Sequence, residues 1–89
     1  MKAEDYNYIM VFTSHHRALY IYDRLLKKQI KAKLVSAPDK IAVSCTQAVK
    51  FKEIDMEIVQ KELKRNNIYP SSIYKIISDG KNQTYELVE

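Results

Sequence analysis

The sequence predicts an α+β fold: a ferredoxin-like two-layer sandwich of order β-α-β-β-α-β, with an extra C-terminal hairpin strand. Three observations carry this expectation. Apolar runs of strand character recur at residues 6–12, 30–37, 48–51 and 73–77. Two longer stretches between them place apolar residues three and four apart, the spacing of a helix face. Near the end, Asp79-Gly80 stands between the last of these runs and one further strand-like run at 84–88, a two-residue hairpin signal.

The first run, YNYIMVF at 6–12, puts Asn7, Ile9 and Val11 on one face and Tyr8, Met10 and Phe12 on the other. Both faces are largely apolar, as an interior strand requires. Thr13 and Ser14 then offer hydroxyls as helix caps. From 15 to about 29 the residues Ala18, Ile21, Tyr22, Leu25 and Leu26 form one stripe, and Lys27 and Lys28 suit the negative end of the helix dipole. Residues 30–37 alternate, with Ile30, Ala32 and Leu34 opposite Lys31, Lys33 and Val35. Pro38-Asp39 ends that strand, because proline cannot donate to a ladder. A short apolar run at 41–43 gives way to Ser44, Cys45, Thr46 and Gln47 before residues 48–51 resume as a strand.

Asp55 is placed to cap the second helix, with Ile54 and Val59 as the two ends of a hydrophobic staple. Met56, Val59 and Leu63 continue its buried stripe, with Ile58 beside it. Lys64 and Arg65 close the helix, and Asn66-Asn67 is a left-handed stop. Glu53, Asp55, Glu57 and Glu62 intersperse the lysines, and most of these charges read as lying on solvated helix faces. Residues 73–77 form a strand, and residues 84–88 return antiparallel to it.

The chain has 89 residues, one glycine and two prolines, with no linker-like stretch or repeat, so one domain over 1–89 is the expectation. No apolar stretch approaches the roughly 20 residues that span a bilayer. The net charge of +4 is mildly basic. Seven tyrosines among lysines raise the question of nucleic acid. The glycine-aromatic pattern of an RNA-binding strand is absent from Ala48-Val49-Lys50-Phe51, so nucleic acid is not the expected partner. Glycine-rich phosphate loops are excluded, and no nucleophile–base pair stands out. The expectation is a carrier or a binding module rather than a self-sufficient enzyme, with no cofactor and no metal.

Two groups could carry chemistry. The solitary Cys45 excludes an intrachain disulfide and fits a reducing, cytoplasmic compartment. It sits in a polar break, where the flanking Ser44 and Thr46, with Lys40 five residues earlier, could stabilise a thiolate. Buried free cysteine is the alternative, since such residues pack as small hydrophobes. Ser14, His15 and His16 at the start of the first helix are candidate binding residues, because first-turn amides point outward there. The two histidines are adjacent and about 100° apart, so they would not chelate one ion together.

Several short motifs together resemble a small bacterial family of unknown function described as selenium/sulfur carrier protein-like. They are Val11-Phe12-Thr13-Ser14, Leu25-Leu26-Lys27-Lys28, Lys33-Leu34-Val35, Ala37-Pro38-Asp39-Lys40-Ile41, Ser44-Cys45, Ala48-Val49-Lys50-Phe51 and Glu62-Leu63-Lys64. The likeness covers roughly residues 6 to 77. The family commonly has glycine after the cysteine, where this chain has Thr46, and often Pro-Arg where this chain has Pro38-Asp39-Lys40. The resemblance implies that Cys45 accepts sulfur or selenium and passes it to a partner protein by thiolate exchange. From the residues alone, a non-catalytic module that dimerises or binds a small ligand is the other reading, motivated by the tyrosines and the late hairpin edge.

Overall fold

The computed structural model describes residues 6–38, 40–41, 47–80 and 82–88. It is an α+β arrangement of five strands and two helices, in the order β1 (Tyr8–Phe12), α1 (His15–Lys27), β2 (Ala32–Ser36), β3 (Gln47–Phe51), a 3-10 turn (Glu53–Asp55), α2 (Met56–Asn66), β4 (Ser72–Asp79) and β5 (Asn82–Leu87). The sheet order is β2-β3-β1-β4-β5, and every neighbouring pair is antiparallel. The order differs from a plain four-stranded ferredoxin sheet by β5, which lies outside β4.

β1 is the interior strand its two apolar faces predict. It pairs with β3 on one side and β4 on the other, and Ile9, Met10, Val11 and Phe12 are all buried. Its alternation divides the molecule into two cores. Met10 and Phe12 join Ala18, Ile21 and Leu25 of α1, Val59 and Leu63 of α2, and Val49 and Phe51 of β3 beneath the helices. Tyr8 lies directly across from Phe51, and their rings stack at 5.6 Å. On the other face, Ile9, Val11 and Ala48 form a second cluster with Val35, Ala37, Ile41, Tyr74, Ile76 and Tyr85 around it. Among the described residues, no helix covers this cluster. Its cover comes from the β2–β3 connection, through Ala37 and Ile41, and from the hairpin, through Tyr85.

α1 begins as predicted. Ser14 has extended backbone, and its Oγ accepts from the Arg17 N–H at 3.3 Å. The helix ends at Lys27, two residues short of the expected end, because Gln29 adopts a left-handed φ of 64°. The Gln29 N–H donates to Leu26 O and the Ile30 N–H to Leu25 O, so the terminal carbonyls are satisfied and Ile30 packs with Leu25. α2 ends the same way. Asn67 takes φ 55°, and the Ile68 N–H donates to Leu63 O at 3.0 Å. Asparagine at that point is the legible version of the motif, because it tolerates this conformation better than most residues.

Three local expectations need correction. Asp55 precedes α2, but its side chain makes no capping bond, and Ile54 is 85% exposed, so no hydrophobic staple forms. The cause is the 3-10 turn at Glu53–Asp55, which turns Ile54 outward and is itself capped from a distance: the Glu53 N–H donates to Asn7 Oδ1 at 2.7 Å. In the hairpin, Asp79 pairs with Asn82, so the connection lies one residue later than Asp79-Gly80; Gly80 opens it with φ 65°. Glu62 is not on a solvated face. It is 2% exposed and lies between the two helices' C-terminal ends.

Candidate functional site

The stretch that carries Cys45 joins β2 to β3. Its described flanks fix where it leaves and re-enters the sheet. Ser36 pairs with Gln47, and Gln47 also pairs with Phe12 at the end of β1. Ser14 and the first turn of α1 follow Phe12 directly, so the chain entering β3 and the start of α1 share one end of the sheet. β4 begins at this end too, where the Ser71 N–H and Oγ both reach Val11 O, at 2.8 and 3.0 Å. Ser44, Cys45 and Thr46 themselves lie outside the described residues.

Lys40 is described. It does not point back toward the start of α1. Its Nζ donates to the backbone carbonyl of Gln83 on β5 at 3.0 Å. The connection therefore leaves β2, lays Ala37 and Ile41 on the second apolar cluster, and ties to the C-terminal hairpin. A hydrogen bond from Ile41 N–H to Pro38 O closes a turn at this point. An open cleft of about 550 Å³ lies between the connection and the hairpin, with Pro38 and Lys40 on one side and Ser78, Gly80, Asn82, Gln83 and Tyr85 on the other. Sequence reasoning missed this junction. The residue pattern associates Lys40 with the cysteine, and nothing in it places the side chain against a strand 43 positions later.

Ser14 acts as a helix cap, and its hydroxyl is engaged with the backbone. His15 and His16 are both exposed, with ring centroids 6.2 Å apart at a 61° interplanar angle. Among the described residues, no three His, Cys, Asp or Glu side chains gather as a metal site would require. His16 borders a cleft on the outer face of α1 with Leu19, Tyr20, Tyr22 and Asp23. Asp23 is engaged along its own helix, with Lys27 Nζ at 3.2 Å.

Among the described residues, a cluster of charges surrounds Glu62. Lys28 Nζ lies 3.3 Å from Oε2, Arg65 Nη1 lies 3.4 Å from the same oxygen, and Asn66 Nδ2 donates to Oε1 at 3.2 Å. Arg24 Nε approaches Oε1 at 3.9 Å without a hydrogen bond. Burial pushes the Glu62 carboxyl upward in pKa. The hydrogen bond and charge of Lys28, then Asn66 and Arg65, outweigh it, and the net displacement is downward. This cluster joins α1 to α2. Glu62 is three residues from Val59 and next to Leu63, so it lies on the helix's apolar stripe, and that position is the signal that could have found it.

No helix among the described residues is long and apolar enough to cross a membrane. The family model described as Putative Se/S carrier protein-like matches residues 7–75, and the chain belongs to that family. The match contains the β2–β3 connection with Cys45 and ends within β4, so β5, the strand that holds Lys40, lies beyond it. No curated protein and no solved structure matches the chain.

Proposed function

We propose that this protein is a sulfur or selenium carrier in which Cys45 is the loaded group. The observation that carries the reading is the family match over 7–75 around a solitary cysteine. In the step envisaged, the Cys45 thiolate attacks the outer sulfur of a donor persulfide. The S–S bond of the donor breaks, the donor leaves as thiolate, and Cys45 holds the persulfide. An acceptor thiolate repeats the attack and regenerates the Cys45 thiolate. No oxidant or general base is required, and a lone cysteine cannot resolve the persulfide within its own chain. Ser44 and Thr46 are assigned to hydrogen-bonding the thiolate, and Lys40 to fixing the connection that bears it.

The sheet order β2-β3-β1-β4 supports the ferredoxin-like reading of the core, with β5 as an addition, and the chain is read as one domain in the cytoplasm. The partners implied are a donor and an acceptor protein. A second reading, a module that dimerises through β5, is favoured by that strand's exposed outer edge.

The reading requires an ionised, accessible thiol. Alkylation of Cys45 followed against pH should give an inflection below about 8.5, the ordinary cysteine value. An inflection at or above that value, or a thiol that reacts only in denaturant, contradicts it.

A further inference from the structure

We infer that the cleft between the β2–β3 connection and the C-terminal hairpin binds a small carboxylate-bearing ligand of metabolite size. The inference rests on the carrier reading only in supposing that the ligand is a thiol substrate; the binding itself is independent of Cys45. At about 550 Å³ the cleft falls within the range of small-molecule sites. It is far larger than a single simple oxyanion needs.

Its lining sets the chemistry. Lys40 brings one ammonium to the wall; among the described residues its bond to Gln83 O uses one of its three N–H groups. Ser78 and Asn82 add a hydroxyl and a side-chain amide, and Tyr85 adds a phenol within 3.5 Å of Gln83 Oε1. Among the described lining residues there is one cation and no carboxylate. A ligand that presents an anionic acceptor to Lys40 and neutral polar groups to the hairpin complements this set. Pro38 and the ring of Tyr85 supply apolar surface for the body of such a molecule. At Gly80 no atom outside its two chain neighbours stands within 4 Å of where a Cβ would be, so the space beside this lining residue is open.

The hairpin wall of the cleft comes from β4 and β5 beyond residue 75, where the family match ends. The cleft is thus a property of this chain's hairpin set against the connection that carries Cys45.

Amide chemical shifts of the full chain, titrated with N-acetyl-L-cysteine, test the inference. The expected result is saturable movement of the Gly80, Asn82 and Gln83 signals. The uncharged N-acetyl-L-cysteinamide and the Lys40→Met variant should each bind about tenfold more weakly. Lys40→Arg should keep most of the affinity, and Cys45→Ser all of it. Amides of Ile9 and Val11 report whether each variant keeps its fold. Movement without saturation in the millimolar range, or equal binding of the cysteinamide or by Lys40→Met, overturns the inference. Sulfate binding as tightly as N-acetyl-L-cysteine overturns the assignment to a carboxylate. Binding that survives in Cys45→Ser while the protein fails to accept sulfur would remove the carrier reading and leave the cleft standing.

Discussion

Glu62 shows most clearly how one side chain governs this fold. A carboxylate 98% removed from solvent is stable only if its charge is met, and here Lys28, Arg65 and Asn66 meet it. Its pKa lies below the ordinary value in the folded state. The stability it contributes is therefore present above about pH 4.5, the unfolded carboxyl's range, and is lost as pH falls through the lower folded value. Thermal unfolding followed against pH should show this acid-dependent component in the wild type and lack it in Glu62→Gln. At neutral pH, Glu62→Gln should cost about 1–3 kcal/mol. The lower part of that range is expected, since Lys28 and Arg65 are 41% and 63% exposed and water screens them. An unchanged acid profile in Glu62→Gln would show that the carboxyl is not held as a buried ion. The sequence alone places Glu62 among surface charges. Composition cannot distinguish a glutamate on the outer face from one turned toward a neighbouring helix, because the partners, Lys28 above all, come from another element.

At the scale of elements, periodicity was readable wherever a residue's own neighbours decide its fate. Ile9 and Met10 point to opposite cores, as alternation requires, and Val59 and Leu63 share a stripe. It failed where a distant group decides. The 3-10 turn before α2 is capped by Asn7, 46 positions earlier, so Asp55 is relieved of capping and Ile54 faces solvent. Asn7→Ala removes that acceptor and should cost about 1 kcal/mol by denaturant unfolding. Asn7→Asp, which keeps an acceptor oxygen, should cost less. Equal losses in the two variants would mean that the Glu53 N–H does not depend on this side chain. Gln29 was hidden for a different reason: glutamine carries no turn signal, and its left-handed backbone follows from Ile30 needing to return against Leu25.

The whole molecule is built as two unequal cores on either side of β1, one roofed by helices and the other by a loop and a hairpin. Only half of this arrangement is legible in the sequence. Order and type of elements follow from local patterns, whereas the path of the β2–β3 connection across the second face depends on Lys40 reaching Gln83 O. β5 ends the sheet with an exposed edge from Asn82 to Leu87 that lacks proline and lysine. The opposite edge strand, β2, is shorter and carries Lys33, a common guard against edge pairing. If copies of the chain associate through a sheet edge, they therefore do so through β5. Light scattering should then report a dimer at high protein concentration, and Thr84→Lys should return it to monomer. A wild type that stays monomeric removes this reading.

The account turns on whether sulfur comes to rest on Cys45. Incubating the protein with a cysteine desulfurase and L-cysteine, then recording intact mass without reductant, addresses this directly. The account predicts one added sulfur on the wild type, removed by dithiothreitol, and none on Cys45→Ser. An unmodified wild type, or equal addition to both proteins, would contradict it.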